Sequence, residues 1–292
     1  MRLKKSLMIT AIAAASVLGL GACASGGDSG ADAPVAESPK FEAGTTMAKL
    51  AKAGTITIGT KFDQPLFGLK GPDGNPVGFD VEIGKIIAGE LGIAADKIKW
   101  VETVSANREQ FIENGTDDIV IATYTINDAR KEKVSFAGPY YNAGQDILVL
   151  KGNPEGIKGP EDLKGKNVCS VAGSTSEKNI LEYGVNLITT DTYSNCLEPL
   201  RNGKVIAVTT DNVILAGLAD QNEGEFEVLS NPFTEEPYGI GLAHDDDAFR
   251  TFINDVLEKS YKDGSWKKAW EATAGKVLKT PEPPAVNRYT ND

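Results

Sequence analysis

Two arginines stand where simple electrostatics would not put them. In residues 121–141 the end of a buried strand (Ile119, Val120, Ile121) leads to Asn127, which reads as the N-cap of a short helix. Arg130 then falls in the first helical turn, where free N–H groups carry partial positive charge and disfavour a cation. Taken alone, it reads first as a solvated residue paired with Asp128 or Glu132. Ser105, however, reads as the cap of another helix and places Arg108 in that first turn as well. One misfit is noise; two look like an arrangement built for negative charge. An anion at the first helix start would find Arg130, the Thr125 hydroxyl and free backbone N–H groups as donors.

The elements that must position these residues follow a regular alternation. Residues 54–60 are β-branched and alternating, a strand. Pro65 keeps 61–65 non-helical, and 71–76 has the composition of a hairpin tip. A helix opens at Gly78-Phe79-Asp80 with Phe79, Ile83, Ile86, Ile87 and Leu91 on one buried face. A strand over 98–102, the Arg108 helix closed by Asn114-Gly115, and the strand reaching Thr123 complete one unit. Strand–helix–strand alternation predicts doubly wound α/β sheets, with ligands beyond the carboxyl ends of strands.

A strand over 146–151 leads into a second unit. It comprises a strand over 165–171, the tight loop 172–175, and a helix at 177–181. The two units echo each other. Asn114-Gly115 precedes a strand reaching Thr123, and Asn202-Gly203 precedes one reaching Asp211 at the same offset of nine residues. Thr123 and Asp211 should therefore mark matching strand ends. Residues 237–242 read as a return crossing, followed by helices carrying Phe249, Phe252, Ile253 and Val256, then Trp266 and Trp270. The prolines from Pro281 onward predict a loosely held tail. His244-Asp245-Asp246-Asp247 reads as an acidic helix start, not a metal site, because consecutive residues cannot all face one ion.

Residues 1–22 combine Arg2, Lys4 and Lys5 with an apolar run from Leu7 to Leu20, the pattern of an export leader. Its end, Leu20-Gly21-Ala22-Cys23, resembles a bacterial lipobox, which implies cleavage before Cys23 and lipidation of its thiol. Residues 23–46 are rich in Gly, Ser, Ala, Asp and Pro, a flexible tether. Removing the leader takes three of the 30 Lys+Arg and none of the 41 Asp+Glu, leaving 27 against 41 and a net charge of −14. That balance argues against nucleic acid as a partner. Cys169 and Cys196 are the remaining thiols, an even pair that predicts a structural disulfide in an oxidising compartment.

Seven segments in order resemble the type II periplasmic-type binding proteins for polar amino acids, the receptors of ABC importers. They are G-T-K-F-D-Q-P (59–65), G-F-D-V-E-I (78–83), I-A-T-Y-T-I-N-D-A-R (121–130), F-A-G-P-Y-Y (136–141), V-A-G-S-T (171–175), T-T-D (209–211) and Y-G-I-G-L (238–242). Within that family the chain is similar to the glutamate-binding lipoproteins of actinobacteria, which share the C-S-V-x-G-S-T and D-T-Y-S-x-C segments holding Cys169 and Cys196. The resemblance implies two lobes joined by two hinge strands, with lobe 1 over 47–147 plus 240–275, lobe 2 over 148–239, and a tail over 276–292. It implies that Arg130 and Thr125 hold a ligand α-carboxylate and that Thr175 adds donors from the other lobe. Asp211, with the carbonyl of Thr123, would take the α-ammonium. Lys61 and Arg108 would meet a side-chain carboxylate, and Gln64 and Tyr238 would line the pocket or pack. Where relatives commonly carry an acidic residue the chain has Ile206, a position without a ligand role.

The chemistry is consistent with that implication. A buried zwitterion needs a cation for its carboxylate and an anion for its ammonium, and a second carboxylate needs further cations. The expectation is a monomeric receptor, lipid-anchored at the outer face of the membrane. It would deliver glutamate or aspartate to a permease without cofactor, metal or chemistry of its own. The rivals are a binder of glutamine or another polar amino acid, an exported prephenate or arogenate dehydratase on the same fold, and a ligand-sensing module. No catalytic histidine pair or nucleophile–base pair supports the enzyme, although Glu177 is an available carboxylate.

Overall fold

The computed structural model describes residues 33–289. The expected leader, Cys23 and the first part of the tether lie outside the described residues. Two five-stranded sheets and a small three-stranded one organise the chain. After α1 (Thr46–Ala53) come β1 (Ile56–Thr60), the small sheet β2 (Asp63–Gln64), β3 (Gly68–Lys70) and β4 (Pro76–Val77), and α2 (Phe79–Glu90). The first unit closes with β5 (Ile98–Glu102), α3 (Arg108–Glu113), β6 (Ile119–Thr125), α4 (Asp128–Lys131) and β7 (Ser135–Ala143).

The second unit holds β8 (Gln145–Leu150), β9 (Asn167–Val171), α5 (Thr175–Leu181), β10 (Asn186–Thr190) and α6 (Leu197–Arg201). It continues through β11 (Ala207–Asp211), α7 (Asn212–Gln221) and β12 (Phe226–Val228). The return strand β13 (Glu236–Leu242) and the helices α8 (Asp247–Asp263) and α9 (Ser265–Ala272) belong again to the first body.

Sheet order is β5-β1-β6-β13-β7 in one lobe and β10-β9-β11-β8-β12 in the other. In each, three parallel strands meet an antiparallel fourth: β13 beside β6, and β8 beside β11. The strand β6 is buried along its whole length, as expected of a central strand covered on both faces. The helix α2 buries Phe79, Ile83 and Ile87 in the aromatic core that also takes Phe67, Tyr140, Tyr141, Tyr238, Trp266 and Trp270. Trp266 stacks on Trp270, and Trp270 on Tyr141.

The chain passes between sheets twice, and the two crossings touch. Only Gly144 separates β7 from β8. A Cβ there would lie 2.6 Å from the carbonyl oxygen of Thr234 in the other crossing, so no larger residue fits without displacing it. Gln145 N–H donates to Thr234 Oγ1 (3.0 Å), and Phe233 N–H donates to the Gln145 carbonyl (2.9 Å).

The repeat seen in the sequence is built into the backbone. Asn114 and Asn202 end α3 and α6, and each carboxamide oxygen accepts from the N–H two residues on (2.9 and 3.1 Å). Gly115 and Gly203 follow with φ of 72° and 74°, the left-handed conformation that ends such helices.

Both ends depart from expectation. Residues 33–45, read as tether, lie against the first lobe: Ala36 N–H donates to the Gly89 carbonyl (2.9 Å), and Phe41 packs edge-on to Phe252. The tail is strapped rather than loose. Asn287 N–H donates to Gly138 O (2.8 Å) on the edge strand β7, Phe136 N–H donates to Tyr289 Oη (2.7 Å), and Arg288 pairs with Asp255 and Glu258. A proline-rich segment lacks helix or strand of its own, and composition does not reveal that a sheet edge is waiting for it.

Cys169 and Cys196 are bonded across a separation of 27 residues, tying β9 to the turn at Tyr193–Cys196. In the chain-entropy model a loop of that size contributes about 3.5 kcal/mol. Replacing both cysteines with alanine should lower the urea unfolding free energy by roughly that amount, and alkylation before reduction should leave both thiols unlabelled. An unchanged midpoint would show that the bridge does not stabilise the folded chain.

Candidate functional site

The carboxyl ends of β1, β6 and β11 converge on the cleft between the lobes, as they should in open α/β sheets. From the first lobe, β6 ends in Thr123, Tyr124 and Thr125, and α3 and α4 contribute Arg108 and Arg130. Asn127 caps α4 as predicted, its side chain accepting from Arg130 N–H (3.0 Å). Ser105 does not cap α3: it starts a separate helical turn, and its hydroxyl accepts from Lys61 Nζ (2.9 Å). Arg108 is instead the first residue of α3.

Both guanidinium groups lie over one ring. Arg108 sits 4.2 Å and Arg130 4.9 Å from the Tyr124 centroid, a face that attracts cations. Arg108 donates to the carbonyls of Ala122 (3.2 Å) and Thr123 (3.4 Å), and Arg130 to that of Thr125 (2.6 Å). Each also reaches across the cleft to the same acceptor, the Gly173 carbonyl, at 3.5 and 3.2 Å. Glu109 balances the pair at 3.4 Å from Arg130. Burial and the neighbouring Arg108 bring the Arg130 pKa down to about 10.

From the second lobe come Asp211, at the end of β11, and the loop before α5. The loop is fixed by reciprocal caps: Glu177 N–H donates to Ser174 Oγ (2.9 Å), and the Glu177 carboxylate accepts from Gly173 N–H (2.7 Å). Asp211 Oδ2 accepts from the Tyr238 hydroxyl (2.6 Å), while its buried Oδ1 has no hydrogen-bond partner. Burial, reinforced by nearby Glu236, pushes the Asp211 carboxyl up to about 7.

Between these halves lies a nearly filled cavity, lined by Ser105, Arg108, Thr123 and Thr125 on one side and by Ser174, Thr175, Thr210 and Asp211 on the other. Its free volume is about 10 Å³, room for about one water molecule and far below the ~300–1,000 Å³ typical of ligand pockets, so a ligand enters only when the lobes part. Of the residues expected to bind, the cavity brings together Arg108, Thr123, Thr125, Thr175 and Asp211. Lys61 and Arg130 stand just behind its wall, Lys61 reaching it through the Ser105 hydroxyl. The Thr175 hydroxyl is already engaged, donating to Glu236 (2.8 Å). Gln64 accepts from the Thr123 hydroxyl (3.0 Å), and Tyr238 orients Asp211, so both support the site rather than line it.

Sequence reasoning missed four parts. Asp80 is fully buried, and its carboxylate receives Thr123 N–H (2.8 Å) and the Tyr140 hydroxyl (2.6 Å). Burial raises its carboxyl to about 7 against those two hydrogen bonds. An acid in a first helical turn has an ordinary explanation in the helix dipole, which hid it. Thr123 has φ of 44°, an outlier for a β-branched residue and a mark of strain at a functional position. The Tyr124 platform was signalled only by its alternation with Thr123 and Thr125. Gly173, the shared acceptor, gave no signal. Lys61 is the remaining cation. Burial first, then Arg108, bring its pKa down to about 7.

Asp211 carries a stability consequence. The folded carboxyl holds its proton up to about pH 7, whereas an unfolded aspartate releases it near 3.9. The folded state therefore binds more protons between those values, and stability falls as pH rises through that window. Asp211→Asn should raise the ligand-free Tm at pH 8 and leave it nearly unchanged at pH 4. An equal shift at both pH values would contradict a strained carboxylate.

Residues 56–273 match the family described as bacterial extracellular solute-binding proteins, family 3. The glutamate-binding protein GluB of Corynebacterium efficiens is 43% identical over 239 residues, covering 78% of this chain and 81% of that protein. The glutamine-binding protein GlnH of an ABC transporter in Bacillus subtilis is 36% identical over 273 residues, covering 92% and 97%. Among solved structures, an ancestral arginine-binding protein bound to glutamine superposes with a TM-score of 0.70 at 38% identity, covering 75% of this chain and 96% of that one. The converging strand ends, the two-lobe fold and these likenesses have one reading: the chain belongs to the family 3 bacterial extracellular solute-binding proteins and is a binding protein, not an enzyme.

Proposed function

We propose that the cleft binds an acidic amino acid, glutamate in the first place and aspartate more weakly, and hands it to the permease of an ABC importer. The observation that carries this reading is Asp211 Oδ1, a buried carboxylate oxygen without a donor, in a cavity that Arg108 also lines. An α-ammonium would supply that donor, and the guanidinium groups would take the carboxylates. Lys61, one hydroxyl behind the wall, is the cation available to a side-chain carboxylate once Ser105 turns. The likeness to GluB supports the same ligand. One methylene is worth only about 1–3 kcal/mol in a pocket, so aspartate should be discriminated modestly.

Lipidation at Cys23, residence at the outer face of the membrane and action as a monomer are part of the same proposal. The first two rest on the leader and its Leu20-Gly21-Ala22-Cys23 end. Glutamine is the second reading, with one observation in its favour. Arg108 already gives its hydrogen bonds to carbonyls, and Lys61 loses its proton near neutrality, so a neutral amide would strand less charge than the sequence implied.

Titration calorimetry from pH 5 to 8.5 separates the two. Binding any amino acid requires ionised Asp211, so affinity should rise with pH up to about 7 for both ligands. Pairing with a side-chain carboxylate requires protonated Lys61, so glutamate affinity should fall again above about 7 while glutamine affinity stays level. A glutamine preference at every pH would sink the glutamate reading. Asp211→Ala should reduce affinity by at least a hundredfold on the same instrument, and a tenfold loss or less would remove it from the ammonium site.

A further inference from the structure

The lobes also meet along a seam outside the cavity. In the first lobe, the Asp63 carboxylate accepts from the backbone N–H groups of Tyr193 (2.9 Å) and Ser194 (3.4 Å) in the second. Those residues open the turn that the Cys169–Cys196 bridge ties to β9, so the acceptor meets a braced partner. Two residues beyond Asp63, the Pro65 carbonyl rests on Gly217 in the middle of α7. A Cβ at Gly217 would stand 2.5 Å from that oxygen, 3.1 Å from its carbon and 3.3 Å from Leu66 Cγ.

The backbone presenting that carbonyl is itself strained. Leu66 has φ of 74°, a left-handed conformation unusual for a bulky residue. Gly217 lies in the apolar middle of α7, VILAGLA over 213–219, where glycine costs a helix about 1 kcal/mol relative to alanine. The three atoms that a Cβ would come nearest all belong to the first lobe. Neither Asp63, Pro65 nor Gly217 lines the cavity.

We infer that this seam is a closure latch that sets ligand affinity from outside the binding site, Gly217 giving the clearance and Asp63 the attraction. Its effect on affinity rests on the cleft being the amino-acid site proposed above. Apparent affinity scales with the fraction of molecules able to close, so a change confined to the seam is felt at the ligand.

Gly217→Ala separates a latch from ordinary packing, because the two predict opposite signs. Alanine favours the helix, so the ligand-free Tm should hold or rise. The added Cβ collides only in the closed form, so glutamate and glutamine affinity should each fall at least roughly tenfold, and small-angle scattering should give a larger radius of gyration than wild type at saturating ligand. Asp63→Ala removes the two hydrogen bonds and also the charge that raises the Lys61 pKa, so it is read with glutamine, which does not call on Lys61: glutamine affinity should fall roughly three- to tenfold without altering the ligand-free Tm. Gly217→Ala binding within twofold of wild type, or a Tm that falls along with affinity, would overturn the latch. Should wild type bind neither amino acid, the proposed ligand fails on that result alone. The seam is then read by scattering at saturating arginine or cystine: a smaller contraction in Gly217→Ala than in wild type supports it, and an equal contraction, or none in wild type, overturns it.

Discussion

The site turns on the problem of burying like charges together. Lys61, Arg108 and Arg130 are 3%, 3% and 7% exposed, and Arg108 stands close enough to the other two to lower their pKa values. Bare cations in such a place would cost several kcal/mol each. They are tolerated because the chain surrounds the guanidinium groups with carbonyl oxygens and one aromatic face. The Ala122, Thr123 and Thr125 carbonyls come from the second half of β6, where its register with β13 shifts. The positive φ of Thr123 falls in the same stretch.

The second lobe completes the arrangement instead of merely covering it. Gly173 offers one carbonyl to both arginines, and the Glu177 carboxylate holds the same residue by its N–H. Asp211 is held by Tyr238, a residue of β13 in the first lobe's sheet. Each lobe thus depends on a group from the other, and the aromatic core behind the cleft sends one hydroxyl to Asp80 and another to Asp211. The position of the return strand is then more than topology, since it delivers the phenol that fixes the acid.

Much of this was legible beforehand, and the gaps have physical causes. Helix caps and strand periodicity located Arg130, Thr123 and Asp211, because backbone hydrogen bonding imposes those signals locally. The Asn-Gly pairs betrayed the repeat for the same reason. Ser105 was misread as a cap: a hydroxyl before a helix satisfies either a backbone N–H or a distant lysine, and only the fold decides. The roles of Asp80 and Tyr124 were not legible because they depend on neighbours 43 and 16 residues away, Thr123 and Arg108 respectively. The tail was called loose because proline content reports the absence of regular structure, not the absence of a dock.

The docked segment ahead of α1 has a mechanical meaning. Residues 33–45 lie on α2 and α8, both packed on the first lobe's sheet. Whatever holds the chain at residue 33 therefore holds that lobe, as a stator. Rotation at the paired crossings is left to the other lobe, the rotor. Of the two faces that a partner would meet, one belongs to the lobe that carries residues 33–45, and the other stands at the angle that the crossings set.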